Sequence, residues 1–316
     1  MKNKKITKKE KISFIASIYN IEDTVESLYK SSKKMLEHLT DTYEMIFVDD
    51  GSNDKTCHRL KGISENDQNV KIIRMRSVFG EACALDAGLK YSDGGKIIFY
   101  SGRVMVNLKD IDELIKKLSS GHDLVVGWRS PRKDSSINKM VSFLFNKLVS
   151  VLSGCRLHDI NSGIIVSYRY VFDNISFYGN LYNFIPVLSL QQGYKVAEEK
   201  IEQIPGSYRT SRNPKEYLRR MLDIVTVFFL TKYSKKPIHF LGLLGTIFIV
   251  LGMIIELYLF FYRIFLIGPI AGRPLLILGA LLLVIGIQMI SIGLIGEMII
   301  FTHAGDIKEY NIKEVI

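Results

Sequence analysis

Short apolar runs alternate with longer amphipathic stretches along the first part of the chain. Five of these runs have the length and apolar content of buried strands, and they occupy residues 11–18, 43–48, 70–75, 96–100 and 123–127. The segments between them show helical periodicity, clearest at 80–89 and 108–118. Strands that alternate with helices predict an α/β fold with a mostly parallel sheet and helices on both faces. Ligands bind such sheets at the carboxyl ends of the strands, so the polar residues there are the candidates for function.

The last quarter of the chain contains two long apolar runs. Residues 238–261 include one charged side chain, Glu256, and residues 274–302 include one, Glu297. A helix needs roughly 20 mainly apolar residues to cross the hydrocarbon core of a bilayer, and both runs exceed this length. Core helices of a soluble protein are the alternative, which two such runs in tandem disfavour. The predicted domains are a soluble part in residues 1–235, a transmembrane hairpin in residues 236–303 and a tail in residues 304–316.

Charge is concentrated ahead of the apolar runs. The chain contains 42 Lys and Arg residues against 32 Asp and Glu residues, a net charge of +10, and the segment after residue 237 is close to neutral. A basic soluble part fits a surface that faces anionic lipid or that handles phosphates. Nucleic acid is the rival partner, and the lack of an arginine-rich tract or a recognisable binding module argues against it. Lysines directly before the first apolar run favour a cytoplasmic location of both chain ends.

Two segments between the predicted sheet and the hairpin have the pattern of interfacial helices. Residues 137–152 place apolar side chains on one helical face, and residues 214–230 begin with basic residues and become increasingly apolar. This pattern is typical of helices that lie in the headgroup region of a membrane. Amphipathic helices packed on the sheet are the alternative.

Six short segments carry groups of residues that occur together in one enzyme family. The two clearest are 47–56, with the sequence FVDDGSNDKT, and 79–89, with the sequence FGEACALDAGL. The other four are 15–22, 127–135, 159–163 and 292–297. In this order they resemble the motifs of family 2 glycosyltransferases, in the branch of dolichol-phosphate mannosyltransferase and the bacterial polyprenyl-phosphate glycosyltransferases. The resemblance covers nearly the whole chain.

This resemblance implies a fold, a reaction and a location. The fold would be the GT-A-like nucleotide-sugar-binding sheet. The reaction would transfer a sugar from a nucleotide-sugar to a polyprenyl-phosphate lipid, as a step towards a cell-envelope polysaccharide. The enzyme would be a multi-pass protein of the cell membrane with its catalytic domain facing the cytoplasm. The family often assembles as a tetramer, so a homo-oligomer is also implied.

The predicted donor site lies at the ends of the first two strands. A carboxylate at a strand end can accept hydrogen bonds from the edge of a uracil or a ribose, which suits Asp49 and Asp50. Gly51 would let the backbone approach the nucleotide closely because it has no Cβ. A plain turn is the alternative interpretation of this Asp-Asp-Gly-Ser sequence. By resemblance the donor-binding residues are Asn20, Glu22, Asp49, Asp50, Gly51, Ser52 and Gly80.

A basic cluster is the predicted site for the lipid phosphate. Guanidinium groups pair bidentately with phosphate, and the predicted residues are Arg129, Arg132, Lys139 and Arg209. Solvated surface charge is the alternative interpretation. The resemblance also implies a catalytic role for Asp159, which would orient the donor or the acceptor.

The metal site of the family is altered in this chain. The resemblance implies Mg²⁺ or Mn²⁺ bound by an Asp-x-Asp motif at the end of the fourth strand, where this sequence has Ser101, Gly102 and Arg103. Asp50 or Asp159 would then be the candidates for holding a metal. The three cysteines have no metal-ligand spacing.

Two hypotheses follow from this alteration. In the first, Arg103 is a catalytic residue whose guanidinium takes the place of the metal beside the leaving diphosphate. A lipid phosphate is already an anion, so its attack on the sugar needs no general base. In the second, the chain is a catalytically degenerate homologue that binds nucleotide or lipid, or that partners another membrane enzyme.

Overall fold

The computed structural model describes residues 11–102, 106–133, 157–175, 179–204, 236–265 and 274–302, with single residues within 140–150 and at 222, 233 and 272. These residues belong to two units, Met1–Val227 and Phe228–Ile316. The first unit contains a sheet with helices, and the second contains two long apolar helices.

A seven-stranded sheet forms the centre of the first unit. The strands are β1 (Ile12–Ile18), β2 (Tyr43–Asp49), β3 (Val70–Arg74), β4 (Lys96–Ser101), β5 (Leu124–Arg129), β6 (Ile164–Tyr168) and β7 (Val196–Ile201). Their order across the sheet is β3-β2-β1-β4-β6-β5-β7, and of these strands only β6 runs antiparallel to its neighbours. The predicted mostly parallel sheet is confirmed, although β6 and β7 are not among the strands that the apolar runs predict.

Among the described residues, six complete α-helices accompany these strands. They are α1 (Val25–Leu39), α2 (Thr56–Asn66), α3 (Glu81–Lys90), α4 (Ile111–Ser119), α5 (Arg169–Asn174) and α6 (Ile185–Gln191). Short 3₁₀ turns precede α4 and α6, at Leu108–Asp110 and Gly179–Phe184. The helical stretch predicted at 108–118 therefore divides into a 3₁₀ turn and a helix that begins three residues later.

Alternate side chains of the strands face two separate cores. On β1, Phe14 and Ala16 belong to the core that α1, α2 and α4 cover, whereas Ile15 belongs to the core that α3, α5 and α6 cover. Successive side chains of a strand point to opposite faces of the sheet. A strand that is apolar at every position must therefore be covered on both faces. The continuous apolar runs are therefore found in strands that have helices on both faces of the sheet.

The strand order gathers the functional candidates at one edge of the sheet. The chain moves outward from β1 through β2 to β3 and then returns to β4 on the other side of β1. Such a reversal leaves a crevice outside the carboxyl ends of β1 and β4, where ligands bind in open α/β sheets. Because β6 is antiparallel, the loop that precedes Ile164 and contains Asp159 lies at this same edge.

Two apolar helices, α7 (Pro237–Ile264) and α8 (Pro274–Thr302), are described in the second unit. Each is long enough and apolar enough to cross a membrane, with mean hydropathies of 2.5 and 2.7. Their backbones meet at glycines, because a Cβ on Gly245 would lie 2.6 Å from the carbonyl oxygen of Gly286. Small residues allow such a close approach of helices in membranes. The two helices therefore pack as the hairpin that the sequence predicts.

The second predicted interfacial segment lies almost entirely outside the described residues, and the first lies partly outside them. In the first segment Met140 and Phe143 are exposed whereas Asn146 and Val149 are buried, and in the second Leu222 is exposed. The interfacial role of both segments stays a prediction.

Candidate functional site

Two loops at the carboxyl ends of β1 and β2 are joined by hydrogen bonds that use predicted donor-site residues. The side-chain oxygen of Asn20 accepts from the backbone N–H of Asn53 (2.9 Å), and the carboxylate of Glu22 accepts from that of Lys55 (2.8 Å). The hydroxyl of Ser52 accepts from the N–H of Asn20 (3.0 Å). Asn20 has a left-handed backbone with φ of 48°, which asparagine tolerates better than most residues. These side chains therefore brace the two loops against each other.

Asp49 is fully buried at the end of β2 and has one carboxylate oxygen without a hydrogen-bond partner among the described residues. Its Oδ1 accepts from the N–H of Ser52 (2.9 Å). Its Oδ2 has no hydrogen-bond partner among the described residues, and Nε of Arg74 lies 4.0 Å away. A buried acceptor without a partner costs free energy, and in native proteins a ligand or a water molecule usually satisfies it. Oδ2 therefore marks the point where this edge of the sheet offers an acceptor to a ligand.

Asp50 and Gly51 hold the loop that leads into α3. The two carboxylate oxygens of Asp50 accept from the backbone N–H groups of Phe79 (2.7 Å) and Gly80 (3.0 and 3.1 Å). Gly51 has φ of 73°, and a Cβ there would lie 2.7 Å from the backbone carbonyl carbon of Ser77. Position 51 thus requires glycine for its conformation and for its contact with the protein's own backbone. The structure gives Asp50, Gly51 and Gly80 this role in the loop, and their contact with the donor stays a prediction.

Arg129, the last residue of β5, forms a buried ion pair with Asp159, which lies in the loop before β6. Nε and Nη2 of Arg129 donate to the two carboxylate oxygens of Asp159 at 2.6 and 2.9 Å, and Nη2 also donates to the carbonyl of Asn161 (2.9 Å). Nη2 of Arg132 lies 3.5 Å from the same carboxylate. Two of the predicted phosphate-binding arginines are therefore gathered around the predicted catalytic carboxylate. The remaining predicted catalytic and phosphate-binding residues, Arg103, Lys139 and Arg209, lie outside the described residues, and their roles stay predictions.

The end of β4 carries a hydrogen-bonded pair where the family resemblance places a metal motif. Ser101 is buried and donates its hydroxyl to the buried carboxylate of Glu81, in the first turn of α3. The N–H of Gly102 donates to the carbonyl oxygen of Ser17 (2.7 Å), and a Cβ on Gly102 would lie 2.7 Å from that oxygen. The backbone of Gly102 is therefore in close contact with the backbone of β1.

The described residues do not fit the divalent cation that the resemblance implies. In the part of the chain that the structure describes, no three His, Cys, Asp or Glu side chains gather at a point that could hold a metal ion. Both oxygens of Asp50 and of Asp159, the two predicted ligands, are already bonded to N–H groups of the protein. Burial raises the pKa of the Tyr100 phenol to about 12, so this neighbour of Ser101 supplies no anionic ligand either. Divalent cations of this type prefer several carboxylate or other oxygen ligands around one point, and the described residues present no such group.

Two features near the site are not among the predictions from sequence. One is Glu81, whose position in the first turn of a helix is favourable for an acidic residue and could have drawn attention to it. The other is a stack of the Trp128 and His158 rings, with centroids 4.2 Å apart and Nζ of Lys200 5.0 Å from the tryptophan ring. The stacked residues are distant in the sequence, so no local sequence pattern predicts their contact.

Comparison with known proteins decides the family. The model of glycosyl transferase family 2 matches residues 13–191 of this chain. The chain belongs to glycosyl transferase family 2. The dodecaprenyl-phosphate galacturonate synthase of Rhizobium johnstonii is 30% identical to it over 305 residues, which cover 93% of this chain and 89% of the relative. The resemblance that the six motifs carry is thereby confirmed.

Solved structures of glycosyltransferases share the fold. The glucosyl-3-phosphoglycerate synthase of Mycobacterium tuberculosis, in its complex with Mn²⁺ and UDP-glucose, gives a TM-score of 0.55 at 18% identity and covers 70% of this chain and 79% of its own. The same enzyme with phosphoglyceric acid gives a TM-score of 0.53 at 18% identity, over 70% and 80% of the two chains. At this identity the likeness concerns the fold alone, and it confirms the GT-A-like sheet.

Proposed function

We propose that this family 2 glycosyltransferase is anchored in a membrane and moves a sugar from a nucleotide-sugar to a polyprenyl-phosphate lipid. The observation that carries the proposal is the extent of the likeness to the Rhizobium johnstonii enzyme, which is named for dodecaprenyl-phosphate. The family model ends at residue 191, whereas this likeness covers 93% of the chain and so extends into the two apolar helices. A catalytic fold and a membrane anchor shared together fit an acceptor that lies in the membrane.

The donor nucleotide would bind at the carboxyl ends of β1 and β2. Asp49 supplies the buried acceptor Oδ2, and the guanidinium of Arg74 stands 4.0 Å from it as a donor. The edge of uracil presents one N–H between two carbonyl oxygens, so an acceptor next to a donor matches it. Guanine presents adjacent N–H groups that would need both carboxylate oxygens, and Oδ1 is already bonded to Ser52. The arrangement therefore favours a uridine nucleotide.

The acceptor phosphate would be the nucleophile. One of its oxygens forms a bond to the anomeric carbon, the bond from that carbon to the nucleoside diphosphate breaks, and the diphosphate leaves with the electron pair. The phosphate is anionic at neutral pH, so no group has to remove a proton from it. A reaction that needs no proton acceptor is compatible with the surroundings of Asp159, because both oxygens of its carboxylate accept hydrogen bonds from Arg129. Asp159 would then be a positioning residue rather than a proton acceptor.

Basic side chains would compensate the charge of the two phosphate groups. Arg132, Lys139 and Arg209 are the proposed contacts of the lipid phosphate, and Arg129 would help to orient them through Asp159. Arg103, two residues after the end of β4 in the sequence, is the proposed contact of the leaving diphosphate. Guanidinium groups suit this task because they are permanently charged and bind phosphate through two parallel hydrogen bonds.

The membrane arrangement of the enzyme is part of the same proposal. Two spans with both chain ends in the cytoplasm would place the first unit where nucleotide-sugars are made, and the lysines ahead of α7 support this orientation. The resemblance to the family favours a homo-oligomer, with a tetramer as the expected state.

A catalytically degenerate homologue is the second candidate function. The observation that favours it is the replacement of the family's metal motif by Ser101 and Gly102, with Ser101 bonded to Glu81. Such a protein would bind the nucleotide or the lipid, or would partner another membrane enzyme, without transferring a sugar.

Transfer of a labelled sugar separates the two functions. Full-length protein in vesicles that contain polyprenyl phosphate receives a panel of UDP-sugars, beginning with UDP-galacturonic acid, and GDP-sugars serve as the matched controls. A labelled lipid that forms only when polyprenyl phosphate is present is the expected result. If no donor gives this lipid while UDP still binds, the degenerate homologue is the better description. Asp49→Asn should weaken both UDP binding and transfer.

A further inference from the structure

The carboxyl end of β4 is closed by the protein's own hydrogen bonds. The Ser101 side chain is buried against the carboxylate of Glu81, and its backbone N–H donates to the carbonyl of Gly163 (2.7 Å). At the next residue the Cβ position of Gly102 is only 2.7 Å from the carbonyl oxygen of Ser17. The oxygen atoms that the described side chains offer here are the hydroxyl of Ser101 and the carboxylate of Glu81, and these two groups are hydrogen-bonded to each other.

The neighbouring carboxylates are also compensated within the protein. Asp50 accepts three hydrogen bonds from backbone N–H groups, and Asp159 accepts two from the guanidinium of Arg129. A cation bound to either carboxylate would have to displace these donors. Displacement at Asp159 would leave the buried guanidinium of Arg129 without its counter-charge, which costs several kcal/mol in a buried pair. A divalent ion would therefore gain little and disrupt the loops that shape the site.

We infer that this glycosyltransferase binds its nucleotide donor and transfers the sugar without a divalent cation. The claim about sugar transfer rests on the proposed function, and the claim about donor binding (the binding half of the inference) rests on the residues at the end of β4. The negative charge that develops on the leaving diphosphate would then be compensated by cationic side chains, with Arg103 as the proposed one. Fixed, preorganised charges stabilise a transition state without having to reorganise during the reaction.

Three measurements on the full chain in detergent or vesicles test the inference. The first is the affinity for UDP with EDTA and with added Mn²⁺. The second is the electron paramagnetic resonance signal of free Mn²⁺, which falls when the ion binds. The third is sugar transfer under the same two conditions. We expect UDP affinity and transfer to change by less than about twofold between EDTA and Mn²⁺, where a metal-dependent site would change by about tenfold or more.

Two controls make these measurements decisive. The glucosyl-3-phosphoglycerate synthase that was solved with Mn²⁺ and UDP-glucose shows that each assay detects a metal. Ser101→Asp places a second carboxylate beside Glu81 and should acquire Mn²⁺ binding that the natural chain lacks. Because the natural chain alone decides the inference, the test does not depend on the folding of this variant.

Each outcome has one meaning. Loss of transfer in EDTA with recovery in Mn²⁺ would overturn the inference, and so would saturable binding of one Mn²⁺ per chain beyond the Mn²⁺ that the same concentration of UDP complexes without protein. If no transfer occurs under any condition, the proposed function fails and the Mn²⁺ signal together with the UDP affinity still decides the binding half. Unchanged UDP affinity and an unchanged Mn²⁺ signal would then support it.

Discussion

Removing one partner of the Asp159–Arg129 pair should destabilise the first unit more than removing both. The two side chains are 2% and 7% exposed and are joined at 2.6 Å. Loss of one member leaves the other charge buried and costs about 3–5 kcal/mol, whereas replacement of both by apolar residues is often nearly neutral. We therefore expect Asp159→Leu and Arg129→Met each to lower the free energy of unfolding by about 3–5 kcal/mol. The Arg129→Met value should be the smaller, because Arg132 still lies 3.5 Å from Asp159.

Urea unfolding of the detergent-solubilised chain measures these costs. Trp128 is the single tryptophan of the sequence, so its fluorescence reports on the first unit. The matched control is the Asp86–Lys90 pair, whose atoms are 2.7 Å apart but whose side chains are 52% and 69% exposed. Breaking an exposed pair of this kind costs less than about 1 kcal/mol.

The comparison of single and double variants can refute this reasoning. If Asp159→Leu costs no more than the change of Asp86, or if the double variant with Arg129→Met is as unstable as the sum of the singles, the pair does not act as a buried ion pair. A stable double variant also tests function. If it transfers sugar at the natural rate, Asp159 has no positioning role in the site.

Four further predictions concern the donor site, the fold and the membrane helices. Asp49→Asn should weaken UDP binding by about 10–100-fold in calorimetry, because a charged acceptor contributes about 1.5–3 kcal/mol, and an unchanged affinity would exclude this residue from the site. Burial opposes ionisation of Glu44, but hydrogen bonds from a backbone N–H, two lysines and a serine outweigh it and lower its pKa to about 2. The ionised Glu44 contributes at most about 3 kcal/mol to the free energy of unfolding. This contribution should be present above about pH 4.5 and disappear as the pH falls towards 2. Glu44→Gln should therefore lower the free energy of unfolding at neutral pH and not at pH 2, which urea unfolding at a series of pH values measures. Gly245→Ala should separate the apolar helices in spin-label distance measurements, whereas Gly242→Ala, with its nearest contact at 3.4 Å, should not. Arg103→Ala should slow turnover by about 10²–10³-fold with little change in donor affinity, and equal losses in both would argue for a binding role.

The sequence alone determined the elements whose signals are local. Five strands, the helices between them and the two apolar helices were readable because apolar runs and helical periodicity extend over a few neighbouring residues. The family was readable for the same reason, since each of its six motifs is a short stretch of chain. The loss of the Asp-x-Asp motif at Ser101 was also a local fact.

The tertiary structure alone decided what each polar side chain contacts. The sequence predicts a donor or metal role for Asp50, and the structure adds that its carboxylate holds the backbone N–H groups of Phe79 and Gly80. The sequence predicts a phosphate-binding role for Arg129, and the structure adds that its guanidinium holds Asp159. These partners lie about 30 positions apart in the chain, and no periodic pattern links residues at such separations.

The direction of β6, like the contacts of the polar side chains, is decided by residues that are distant in the sequence. It lies between β4 and β5 and runs antiparallel to both, which brings Asp159 to the edge where the parallel strands end. A strand's direction and neighbours depend on the packing of the whole sheet, whereas its sequence records only that it is extended and apolar. The sequence therefore specified the type of each element and the family of the protein, and the assembled sheet specified which of its charged groups meet.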